Sequence, residues 1–173
     1  MYATPTTRRS NGFTLVEVLV TLLVLSIGLL GIEKLLLVSS RANDSAYLRT
    51  QATALAYSIL DSMRANRQSA VSGAYAVGDS TTLTDPGATC SAAASPCDSA
   101  TIAKVDLWQW KNDLTTNLGP SGLGKITTAS VTDPVTGATD VTATITVQWN
   151  DSVAQQTFGA ATGDVSITLE TML

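Results

Sequence analysis

The chain has 173 residues, 10 basic against 14 acidic, for a formal net charge of −4. That length fits one globular domain with a helical extension and is too short for two full domains. With no His and only Cys90 and Cys97, a zinc, haem or Cys–His centre and a Ser–His–Asp triad are excluded, and the acidic balance argues against a nucleic-acid footprint of clustered Lys and Arg.

The first twelve residues, Met1–Gly12, form a short basic leader with Arg8-Arg9 and no apolar core of its own. If it is removed, 8 basic residues remain against 14 acidic, which takes the net charge to −6. The apolar stretch follows from Gly12 to Ile32, reading GFTLVEVLVTLLVLSIGLLGI. At about 1.5 Å per helical residue, roughly 20 residues span the ~30 Å hydrocarbon core of a bilayer. Under the positive-inside rule, the basic leader places everything beyond about residue 32 on the outer face of the inner membrane. A secretory peptide fits poorly, because no small-x-small cleavage site follows the apolar run. A twin-arginine export signal fits poorly because Glu17 interrupts what should be an uncharged core.

Glu17 lies about one turn into the apolar run, where an acid costs on the order of 2–3 kcal/mol. The first four N–H groups of a helix lack intrahelical partners and the helix dipole is positive there, so an amine at a helix N-terminus suits this carboxylate. A cut after Gly12 would create such an amine on Phe13.

From Glu33 to Arg67 no Pro or Gly interrupts the chain, so the helix is expected to continue over Phe13–Arg67, about 80 Å at the helical rise. Its first half is apolar nearly all round, whereas Leu48, Ala52, Leu55, Ile59 and Met63 recur at steps of four and three. That stripe is scaffold that needs a sheet or helix to cover it. Gly28 and Gly31 are the soft points, each weakening a helix by roughly 1 kcal/mol relative to Ala.

The residues Gly12-Phe13-Thr14-Leu15-Val16-Glu17 resemble the type IV pilin signal, with a cut after glycine, phenylalanine as the new first residue and glutamate as the new fifth. Val18-Leu19-Val20, Leu25–Gly31, Ser45–Arg49, Gln51–Tyr57 and Met63–Arg67 are similar to PilV-type minor pilins in particular. The resemblance covers about the first 67 residues and implies an α+β ladle fold. It also implies that a prepilin peptidase cuts after Gly12 and methylates the Phe13 amine, and that Glu17 pairs with that amine on an adjacent subunit. The implied role is a non-enzymatic structural subunit in the priming or tip complex of a type IV pilus, serving adhesion and twitching motility. Its implied partners are other minor pilins, the major pilin, a tip adhesin and the inner-membrane assembly platform. The subunit would be a single-pass inner-membrane protein with a periplasmic head before assembly, and part of an extracellular fibre afterwards.

Beyond Arg67, Ser72-Gly73, Gly78-Asp79 and Asp85-Pro86-Gly87 carry turn chemistry. Cys90 and Cys97 follow, and in an oxidising compartment a local disulfide is the favoured state, with two free thiols as the alternative. Ala103, Leu107, Trp110, Leu114 and Leu118 step by four, three, four and four, so a short amphipathic helix is expected over Ser99–Leu118, stopped by Gly119-Pro120. Trp108 falls off that stripe, at the side of the helix. Val141, Ala143, Ile145, Val147 and Trp149 alternate with polar residues, as do Val165, Ile167 and Leu169, and a weaker strand is expected around Lys125–Thr132. Asp133-Pro134 and Gly137 are expected to end that weaker strand, and Gly159 and Gly163 to keep the connection after Asn150-Asp151 flexible.

The expected organisation is a leader at 1–12, an apolar helix at 13–36, its amphipathic continuation at 37–67 and a head at 68–173. The fold class is α+β, a long helix packed on a small antiparallel sheet. No catalytic constellation, cofactor or metal site is expected. Three rival readings share the anchor: a pseudopilin of a type II secretion system, a DNA-uptake pilin and a tethered enzyme. The second needs a basic strip, whereas the head beyond Arg67 carries only Lys104, Lys111 and Lys125.

Overall fold

Fifty-one residues without proline, Leu15–Ala65, wind into one α-helix, α1. The structure is a computed structural model, and it describes residues 12–87, 90, 97–132, 139–151 and 163–173. The chain divides into two units, Met1–Ser40 and Arg41–Leu173.

In the first unit the helix runs unbroken through Gly28 and Gly31. Every side chain from Leu15 to Leu37 is exposed, and α1 is long and apolar enough to cross a membrane. Two hydroxyls in this segment are satisfied within the helix: Thr21 Oγ1 donates to the Val18 carbonyl and Ser26 Oγ to the Leu23 carbonyl, both at 2.8 Å. Bonded in this way, they carry no unmet donor into an apolar surrounding.

In the second unit the other half of α1 turns Ala52, Ala56, Ile59, Leu60 and Met63 inward, with Leu48 and Leu55 partly buried beside them. The helix was expected to reach Arg67 but stops at Ala65, and a short helix α2 runs over Arg67–Val71. Asn66 stands at the break with φ −115 and ψ 50. Its side-chain amide donates to the Ser99 carbonyl at 2.7 Å and to the Tyr75 hydroxyl at 3.3 Å, so a tertiary contact sets the boundary. The α2 helix closes on a Schellman motif, in which Ala74 N–H reaches the Ser69 carbonyl at 2.9 Å and Gly73 N–H the Ala70 carbonyl at 3.1 Å. Gly73 supplies the positive φ of 83 that this closure requires.

Helix α3 spans Ser99–Leu118, the expected range, with Asp98 as its N-cap accepting from Thr101 N–H at 2.8 Å. All five residues of the expected stripe, Ala103, Leu107, Trp110, Leu114 and Leu118, are buried. Three antiparallel strands complete the fold in the order β1 (Leu123–Thr132), β2 (Thr139–Asn150), β3 (Asp164–Met172). Ile126 lies opposite Ile145, and Ile145 opposite Leu169. The inward face of β2 is the alternating set read from the sequence, Val141 to Trp149, all buried. Val77 adds a single antiparallel bridge to Ile126 on the outer side of β1. The expected turn at Asp133-Pro134 and Gly137, and Gly159 in the β2–β3 connection, lie outside the described residues.

Two glycines let α3 approach β1 closely. A Cβ on Gly124 would lie 2.5 Å from both Leu114 Cδ1 and Trp110 Cη2, and one on Gly122 would lie 2.4 Å from the Leu114 carbonyl oxygen. The result is an α+β arrangement, a long N-terminal helix with a small three-stranded antiparallel sheet, as the sequence predicts.

Candidate assembly site at the helix start

Gly12, Phe13 and Thr14 precede α1, which begins at Leu15. Thr14 caps it. Its Oγ1 accepts from Glu17 N–H at 3.3 Å, and its carbonyl accepts from Glu17 and Val18 N–H at 3.1 and 3.3 Å. Thr-x-x-Glu is the spacing of a capping box, in which the acid at the third helical position faces the unpaired amides of the first turn. Glu17 therefore occupies the positive end of the helix dipole, where a carboxylate is stabilised by roughly 0.3–1 kcal/mol at an exposed site. Phe13 is 83% exposed, so nothing within the described residues covers it. The expected processing residues and the expected assembly acid thus share one helix start. The capping role of Thr14 was not read from the sequence, although Thr14-Leu15-Val16-Glu17 carried the signal.

The head has its own polar ties. Tyr75 is fully buried, and its hydroxyl donates to Asp106 Oδ2 at 2.5 Å. Burial, reinforced by the Asp106 carboxylate, pushes the Tyr75 hydroxyl well above its ordinary 10.0. Lys111 donates to three carbonyls, Gly78 at 2.7 Å, Asp79 at 2.8 Å and Gly124 at 2.6 Å. Burial pushes its ammonium below the ordinary value, against the pull of Asp79. Ser45 Oγ donates to Asp151 Oδ2, tying the head half of α1 to the residue after β2. Cys90 and Cys97 are joined as a disulfide with Cα atoms 5.4 Å apart, next to the N-cap of α3. Among the described residues, no three His, Cys, Asp or Glu side chains gather to hold a metal ion.

The family model for the prokaryotic N-terminal methylation motif matches residues 7–32, a stretch that contains Gly12, Phe13 and Glu17. No curated protein and no solved structure matches the chain. The motif implies processing by a prepilin peptidase and assembly with other pilins, and with the apolar helix it fits a single-pass inner-membrane anchor before assembly. A prepilin-type signal thus leads into a long apolar helix followed by a small antiparallel sheet, an α+β arrangement consistent with the pilin fold.

Proposed function

We propose that the chain is a non-enzymatic minor pilin of the PilV type, acting in the priming or tip complex of a type IV pilus and so in adhesion and twitching motility. The observation that carries this reading is the placement of Glu17 in the first turn of an otherwise apolar helix, five residues beyond Gly12. Cleavage after Gly12 gives Phe13 an α-amine, which the peptidase methylates. Assembly then moves an apolar helix from lipid into a bundle of like helices, a transfer that gains little hydrophobic energy. Polar complementarity decides the register, and the Glu17 carboxylate meeting the Phe13 amine of a neighbouring subunit supplies it. Its partners on this reading are the major pilin, other minor pilins, the assembly platform and a tip adhesin, with the head periplasmic until assembly. Ser45–Tyr57 and Met63–Arg67 favour the pilus over the pseudopilus of a type II secretion system.

Mass spectrometry of the mature N-terminus tests the processing, with methylated Phe13 expected as the first residue and an intact Met1 start contradicting it. A deletion strain tests the role. Loss of twitching with enzyme secretion intact is expected, and the reverse pattern assigns the chain to the pseudopilus.

A further inference from the structure

Helix α3 carries a second face beside its core stripe. Trp108, Lys111, Asn112 and Thr115 follow one another at helical spacing and line one side of a cleft of about 210 Å³. The opposite side is the segment Asp79–Leu83, and the end is closed by Gly122 and Leu123 at the start of β1. Drug-sized ligands occupy pockets of about 300–1,000 Å³, so this volume suits a single small ring.

Three features define what ring it takes. The first is aromatic: of the three tryptophans, Trp110 and Trp149 are 3% and 0% exposed and belong to the core, whereas Trp108 is partly exposed and lines the cleft. The second is charge. Lys111 is the one cation in the lining, and its three N–H donors are spent on the carbonyls of Gly78, Asp79 and Gly124. An anionic ligand would find no free donor on it and would meet the Asp79 carboxylate at the rim. The third is the remaining polar set, the hydroxyls of Ser80, Thr81 and Thr82 with the Asn112 amide, which donates and accepts. The Lys111 bonds also hold the 78–79 turn against α3 and β1, so both walls are in place before any ligand arrives.

We propose that this cleft is a binding site for one uncharged pyranose residue of a glycan. One face of such a ring presents a sheet of weakly positive C–H bonds, which pack on the negative π-face of Trp108, while its hydroxyls exchange hydrogen bonds with Asn112 and the Ser80–Thr82 hydroxyls. The cleft lies wholly in the head, and the inference is independent of the filament role proposed above.

The test uses the full chain in bilayer discs of phosphatidylethanolamine and phosphatidylglycerol, free of glycolipid and of glycoside detergents. The probes are the methyl pyranosides of glucose, galactose, mannose, fucose and N-acetylglucosamine, with choline and methyl glucuronide as charged comparators. Because Trp108 is the one tryptophan open to solvent, a bound sugar is expected to protect the fluorescence from acrylamide quenching. At least one neutral pyranoside is expected to bind with Kd of about 1 mM or tighter, shown also by saturation-transfer NMR. Trp108→Ala is expected to abolish binding and Asn112→Ala to weaken it at least fivefold, both with unchanged far-UV circular dichroism. Should Trp108→Ala not fold, Asn112→Ala decides. The proposal is overturned if no neutral pyranoside binds, if a charged comparator binds better than all of them, or if the folded variants bind as the parent does.

Discussion

The indole Nε1 of Trp110 donates to the carbonyl of Leu55 at 3.0 Å, joining α3 to the head half of α1. The same ring presses its far edge on Gly124 of β1, so one side chain touches a helix on one side and a strand on the other. A neutral hydrogen bond of this kind contributes about 1 kcal/mol, and Trp110→Phe is expected to lower unfolding free energy by about 1–2 kcal/mol once lost packing is included. Gly124→Ala is expected to cost about 1–3 kcal/mol, because the new methyl overlaps Leu114 and Trp110. Gly122→Ala is expected to cost more than Gly124→Ala, since its obstacle is the Leu114 backbone carbonyl, which cannot rotate away. Urea titration of the three variants checks the order.

Tyr75 makes the head sensitive to alkali. Its folded value is raised above the ordinary 10.0 by burial and by Asp106, so the native state keeps the proton in a range where the unfolded chain has lost it. The stability it contributes is therefore fully present below pH 10.0 and falls as pH rises beyond that point. The parent chain is expected to lose stability steeply between about pH 10 and 11, and Tyr75→Phe to flatten that slope while being less stable at pH 8 through the lost bond to Asp106. Equal slopes in denaturant titrations across that range would contradict this account.

The disulfide closes a loop with a sequence separation of 7. Chain-entropy reasoning puts its contribution at about 2.5 kcal/mol. Replacing Cys90 and Cys97 together by Ser is expected to lower stability by that amount under oxidising conditions. Adding a reductant is expected to bring the parent to the level of the double variant without affecting the latter. Because Cys97 adjoins the cap residue Asp98, loss of amide protection is expected first in the opening turn of α3.

Local pattern made α3 and the central strand legible: a four-three stripe bounded by Gly119-Pro120, and five apolar residues alternating with Thr and Gln. Burial of Ala56 and Leu60 was not legible, since a stripe with one face predicts too narrow an arc for a helix covered by both α3 and the sheet in one core. The stop at Ala65 was equally hidden. Asn66 breaks the helix through a bond to Ser99, 33 residues away, and no local signal encodes that partner. In sequence Lys111 is only one of the three lysines of the head, and its three carbonyl partners follow from turns whose placement only the folded chain defines. At the helix start the reverse held, since Gly12, Phe13 and Glu17 are local in sequence and so were visible together.

The capping geometry at that start allows charge and shape to be separated. Glu17 sits where a capping box places Glu or Gln, so Glu17→Gln keeps the length, the polarity and the capacity to serve the first turn, but cannot carry a negative charge. Glu17→Val removes both. If assembly depends on an ion pair with the Phe13 amine of a neighbour, the two variants are expected to insert into the membrane and be cleaved normally, yet to fall at least tenfold in sheared fibres, a deficit of about 1.4 kcal/mol. If the carboxylate acts only by fixing the helix start, Glu17→Gln would incorporate at parental levels while Glu17→Val would not, and Thr14→Val, which removes the capping hydroxyl, would share the defect of Glu17→Val. Quantifying the chain in sheared fibres against the membrane fraction for these three variants decides between the two, and parental incorporation of Glu17→Gln would remove the electrostatic basis of the proposed assembly step.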